Sequence, residues 1–163
     1  MSYNNIVIRE ISVADNKQMA QVIRDVLVEL GAPKVGTAYE DVSLDKMTET
    51  YRSEKSAYFV IEREGKILGG AGVAPLVGCE DQICELQKMY FLPEARGLGL
   101  GEEMMQKCLE SAKAFGYKKC YLETLPYMKD AKKLYNKVGF ESLDKPMGNT
   151  GHYSCNVWMI KAL

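Results

Sequence analysis

The chain of 163 residues is 47% apolar and 26% charged, with a net charge of -1, which suffices to bury the core of one domain without staples. The near-cancelling charges are a poor footprint for nucleic acid or an anionic membrane, where a clustered positive excess is expected, and leave room for a local basic patch that holds one phosphorylated small molecule. Five cysteines without a CxxC pair, beside a single histidine, argue against a conventional zinc site.

No basic stretch followed by an apolar run opens the sequence, and no uncharged apolar run reaches bilayer length, so a cytoplasmic protein with reduced, buried thiols is expected. Without a repeat or a Pro/Gly/Ser-rich linker, residues 1–163 read as a single domain. Residues 6–11 read as a strand. Asp15 then precedes Met19, Val22, Ile23, Val26, Leu27 and Leu30 at helical spacing, stopped by Gly31. Residues 32–43 hold two glycines and a proline and predict a loop, followed by a short helix over 44–51.

Residues 57–63 are β-branched and aromatic, and Glu64-Gly65 predicts a hairpin turn into a strand over 66–77. A further turn leads to a strand over 83–92, where Pro93 stops the ladder. Met104, Met105, Cys108, Leu109, Ala112 and Phe115 mark one helix face, ended by Gly116. A strand (119–124), a helix (128–138, ended by Gly139), a strand (140–143) and a last strand (153–160) complete the order β-α-α-β-β-β-α-β-α-β-β. Hairpins followed by a βαβ crossover imply an α/β chain with a mixed sheet and helices on both faces.

Arg96-Gly97-Leu98-Gly99-Leu100-Gly101 lies between a strand and an amphipathic helix. A helix N-terminus exposes unpaired N–H groups and the positive end of the macrodipole, and glycines let backbone approach a phosphate. The dinucleotide fingerprint fails because Glu102 stands where its third glycine belongs, and a Walker loop fails because Gly101 is followed by Glu102-Glu103. A tight turn that merely permits close packing is the alternative.

Phe91-Leu92-Pro93-Glu94-Ala95-Arg96-Gly97-Leu98-Gly99-Leu100-Gly101 resembles the signature of the GNAT acetyltransferase superfamily, and Ala131-Lys132-Lys133-Leu134-Tyr135-Asn136-Lys137-Val138-Gly139-Phe140 is similar to its second common block, at the usual spacing. The resemblance implies the GNAT fold, a central, mostly antiparallel sheet of about seven strands flanked by about four helices. It implies acetyl-CoA as co-substrate, without a metal, and transfer of the acetyl group to a primary amine of a small molecule or peptide by direct attack in a ternary complex. The amides of Arg96, Gly97, Leu98, Gly99, Leu100, Gly101 and Glu102 would hold the pyrophosphate. The backbone at Met89 and Phe91 would pair with the pantetheine arm and polarise the thioester carbonyl.

Tyr135 matches the family tyrosine that protonates the leaving thiolate, and Glu85 is similar in position to the glutamate several members use as base. Glu123 is the second candidate base. Met128 replaces an asparagine that many members place on the cofactor. Tyr39 in the 32–43 loop and His152 near the last strand are candidate acceptor contacts. The resemblance allows a homodimer and gives no role for nucleic acid or membrane. The alternatives of the same fold are a non-catalytic acyl-CoA sensor and an acyltransferase for a hydroxyl or a protein N-terminus.

Overall fold

The computed structural model describes residues 5–126 and 128–163. Seven strands, β1 (Ile6–Glu10), β2 (Ala57–Arg63), β3 (Lys66–Pro75), β4 (Ile83–Phe91), β5 (Lys119–Thr124), β6 (Glu141–Leu143) and β7 (Val157–Ala162), form one sheet in the order β1-β2-β3-β4-β5-β7-β6. Every pairing is antiparallel except β4 with β5. Four helices, α1 (Asn16–Glu29), α2 (Met47–Thr50), α3 (Leu100–Ala114) and α4 (Lys129–Val138), cover the two faces.

Sequence pattern explains this layering. Along β2, Tyr58 and Val60 pack with Met19, Ile23 and Leu27 of α1, while Phe59 and Ile61 pack with Met104, Met105 and Cys108 of α3. A strand buried on both faces reads as a continuous apolar run rather than an alternation. Ahead of α1, the Ser12 amide donates to Asp15 at 2.8 Å, and Arg9 grips both oxygens of the same carboxylate at 2.7 and 2.9 Å. β1 is thereby fastened to the entry of the helix that follows it.

Strand ends differ from the sequence expectation by one or two residues, and the larger differences lie in the 32–51 segment and at the last strand. The helix expected over 44–51 is a 3-10 turn, Val42–Lys46, running into the single turn of α2, and a further 3-10 turn, Ala38–Glu40, lies inside the expected loop. The last strand begins at Val157 rather than 153. The backbone before it is engaged elsewhere: the Ser154 amide donates to Gly36 O at 2.9 Å and that of Cys155 to His152 O at 3.0 Å.

Two irregularities at the centre of the sheet create the site. β4 and β5 pair only from Ile83↔Lys119 to Glu85↔Tyr121. Beyond that point β4 stays with β3 and β5 with β7, so the sheet splits into a V with Glu85 at its vertex. The second irregularity is a bulge in β4. Gly70 pairs with Tyr90 and Gly72 with Gln87, leaving Lys88 and Met89 opposite Ala71 alone, with Lys88 at φ 51°. The extra residue keeps Cys84, Leu86, Met89 and Phe91 in the α3-side core, while Gln87, Lys88 and Tyr90 associate with Tyr51 and the α1 side. Tyr58 pins the bulge by donating to Lys88 O at 2.7 Å. Its ring lies over Gly70 and Gly72, where any Cβ would collide with it.

Candidate active site

One arm of the V opens into a groove of about 480 Å³ lined by Met89, Phe91, Arg96, Gly101, Leu134 and Tyr135, among others. Gly99, at φ 77°, is the N-cap of α3, a left-handed conformation that suits glycine. The amides of Gly99, Leu100, Gly101 and Glu102 donate to no acceptor among the described residues, leaving the positive end of α3 open. Arg96 departs from the expectation. Its amide donates to Pro93 O at 3.1 Å, and its guanidinium to both oxygens of Glu29 on α1 at 2.7 and 2.9 Å and to Phe91 O at 3.0 Å. Arg96 therefore clamps the loop to α1 and β4, and the open amides begin further along. Leu98 packs on the core, Leu100 is buried, and the Glu102 side chain pairs with Lys137 at 2.8 Å.

Tyr135 is buried on α4 with its ring edge-on to Phe140, 6.0 Å between centroids, and it lines the groove beside Met89. Burial holds its phenol well above the ordinary range, and no protein group within hydrogen-bond distance claims the hydroxyl among the described residues. It is a neutral O–H available to an incoming atom. Met128 also lines the groove, where its thioether accepts from Thr124 at 3.5 Å.

On the other side of the vertex Glu85 is 6% exposed. Burial pushes its carboxyl up to about 7; the Gln87 hydrogen bond opposes this, and the charge of Glu123 adds to it. Gln87 Nε2 donates to Glu85 Oε1 at 2.6 Å, and Tyr51 donates to Gln87 Oε1 at 2.6 Å. Glu85 Oε2 keeps no protein donor among the described residues. Glu123 differs: Tyr121 donates to one oxygen at 2.6 Å and Thr150 to the other. Of the two candidate bases, only Glu85 has an unclaimed carboxylate oxygen.

His152 Nε2 meets Asp41 Oδ2 at 2.7 Å, joining two loops 111 residues apart. Burial works against the charged imidazole, but the Asp41 hydrogen bond and charge carry its pKa above the ordinary value. Tyr39 sits elsewhere, its ring between Arg24 at 6.0 Å and Lys34 at 5.2 Å. The loop's contribution to the cluster is Asp41. The acidic loop residue was open to sequence reasoning, which passed over Tyr51, Gln87, Lys88 and Thr150. One signal was present: the adjacent polar pair Gln87-Lys88 interrupts the alternation of Cys84-Glu85-Leu86-Gln87, as a bulge does. Among the described residues no cluster of three or more His, Cys, Asp or Glu side chains could hold a metal.

The sequence profile of the Acetyltransferase (GNAT) family matches residues 24–140. The chain is 44% identical over 158 residues to the Escherichia coli K12 protein called uncharacterized N-acetyltransferase YjgM, covering 96% of this chain and 95% of that one. A Staphylococcus aureus Mu50 acetyltransferase of the GNAT family superposes with a TM-score of 0.84 at 18% identity, covering 96% and 98% of the two chains. YncA of Salmonella typhimurium, solved with its cofactor acetyl-CoA, superposes with a TM-score of 0.75 at 17% identity, covering 98% and 94%.

Proposed function

Since the chain belongs to the GNAT family of acyl-CoA-dependent N-acetyltransferases, we propose that it moves the acetyl group of acetyl-CoA to a primary amine by direct attack in a ternary complex at the β4/β5 vertex. The observation that carries this reading is the split of β4 from β5: Glu85, with a carboxylate oxygen that no described residue claims, stands at the last paired position, and Tyr135, whose hydroxyl has no partner among the described residues, lines the groove on β4. The open amides of Gly99, Leu100, Gly101 and Glu102 would receive the pyrophosphate, and Met89 and Phe91 line the groove that would take the thioester arm.

An alkylamine is mostly protonated at neutral pH. A carboxylate titrating at about 7 takes up its proton, directly or through one water, without being too weak a base to do so. The neutral amine then attacks the thioester carbonyl, a C–N bond forms, and the C–S bond breaks. Tyr135 supplies a proton to the departing thiolate, and its phenolate recovers, through solvent, the proton that the attacking nitrogen sheds as it becomes the amide. Buried and high in pKa, the phenol cannot hold a negative charge at rest, so it approaches the sulfur as the acid.

The test is a panel of amines, amino acids, polyamines and peptides followed by release of coenzyme A, with Tyr135→Phe alongside. The expected result is turnover with some acceptor, and about a 100-fold loss of kcat in Tyr135→Phe with unchanged acetyl-CoA affinity. Tight acetyl-CoA binding with no turnover across the panel would make this a sensor, and absence of binding would refute the reading altogether.

A further inference from the structure

Lys88 is the least expected residue of the cluster. Its side chain is 7% exposed, yet its ammonium makes no hydrogen bond to any described residue. The nearest carboxylate oxygen, Asp41 Oδ2, stands 3.9 Å away and is already engaged by His152 at 2.7 Å. The Tyr51 ring stands 5.8 Å from Nζ to centroid, and the charge of Glu85 adds to that of Asp41. Because every fully buried polar side-chain atom among the described residues has a partner, the Lys88 nitrogen, with three donors and no protein acceptor, must reach the open cleft. Such a group persists where something else supplies the acceptor.

The bulge explains why it is there. An uninterrupted strand would turn residue 88 to the face opposite Glu85 and Gln87. The extra residue, held by the Tyr58 bond to Lys88 O, sends the side chain to the same side as theirs. One backbone device therefore gives the acceptor end both a base with an unclaimed oxygen and a cation with unclaimed donors. The surrounding charges are Glu85, Glu123 and Asp41 against Lys88 and His152, with His152 committed to Asp41.

From this juxtaposition we infer that the acceptor is a small zwitterion, an amino acid whose carboxylate binds the Lys88 ammonium while its amine faces Glu85. The inference rests on the transfer reading above and names its substrate class. A single negative charge suits one available ammonium. A doubly charged phosphate at the same point would be repelled by three carboxylates. A simple amine or polyamine would satisfy Glu85 and leave Lys88 unpartnered. The Asp41–His152 bond, together with Ser154 Oγ on Val35 O at 2.8 Å, ties two loops together beside this end, which favours a small molecule over a peptide.

The experiment compares each of several α-amino acids with its primary amide and its decarboxylated amine, all as acceptors for the full-length protein. The amide's amine is the weaker base and so is more readily neutral. Bare reactivity therefore favours the amide, and a preference for the acid reports recognition. The expected kcat/KM for the best acid exceeds that for its amide by about tenfold or more. In Lys88→Met that ratio falls to near one, mainly through KM for the acid. Equal turnover of acids, amides and amines by the unaltered protein would overturn the proposal without any variant. So would a Lys88→Met protein that loses the same factor for all three. Binding of acetyl-CoA with no turnover of any amine would instead refute the transfer reading and take this inference with it.

Discussion

At Glu85 the proposed role as base is coupled to stability through one titration. Its carboxyl titrates at about 7 because the folded protein buries it, whereas the unfolded chain titrates near 4.5. The folded state thus binds the proton more tightly. That contribution is full below the unfolded value and is lost as pH rises through about 7, so the folded protein above that pH holds a buried carboxylate at a cost of about 3 kcal/mol. Glu85→Gln keeps an acceptor for Gln87 and removes the charge. It is expected to raise the free energy of unfolding at pH 8 by up to about 3 kcal/mol, with little effect at pH 5. The same change should lower kcat by about 100-fold at pH 7. In the unaltered enzyme kcat/KM should climb as pH rises through about 7, because only the ionised carboxylate accepts the amine's proton. Urea titrations at the two pH values and a pH–rate profile measure both.

At the level of elements, the bulge in β4 depends on its neighbours more than on its own residues. Tyr58 reaches across two glycines of β3 to hold Lys88 O, so β2, β3 and β4 all take part in fixing one irregular residue. Tyr58→Phe leaves that carbonyl without its donor in a buried setting. The expected cost is about 1–3 kcal/mol in denaturant unfolding, and kcat should fall as the backbone beside Met89 loses its register. Unchanged stability would mean that the bulge is held by sheet pairing alone. α3 and its loop are fixed differently, through the Arg96–Glu29 pair, which joins the loop to a helix on the opposite face of the sheet. Pro93, the glycines and the apolar face of α3 were legible in sequence because each acts locally. The partner of Arg96, 67 residues away, was not.

Across the whole molecule, two loops beside the proposed acceptor end are joined by the Asp41–His152 bond and by the contacts of residues 153 and 154 with residues 35 and 36. Because His152 titrates above its ordinary 6.5 when folded, its pairing contributes fully below 6.5 and is lost as pH rises through the raised value. His152→Ala is expected to cost about 1 kcal/mol of stability at pH 6 and distinctly less at pH 9. Measuring thermal midpoints of both proteins across that range checks the sign. Loosening of the loops should also raise KM for the acceptor more than KM for acetyl-CoA.

The sequence by itself determined the order of elements, the strand–loop–helix around Gly99, and the positions of Glu85 and Tyr135. Those depend on periodicity, on glycine where φ is positive, and on two blocks whose spacing is preserved along the chain. Only the tertiary structure decided that Arg96 clamps rather than cradles, that Glu123 is occupied while Glu85 is free, and that Lys88 turns into the cleft. Each of these is a contact between residues distant in sequence, or a half-turn of backbone imposed by a neighbouring strand. Hydrophobic patterning reports which face is buried, but says nothing of which polar groups meet once the faces close.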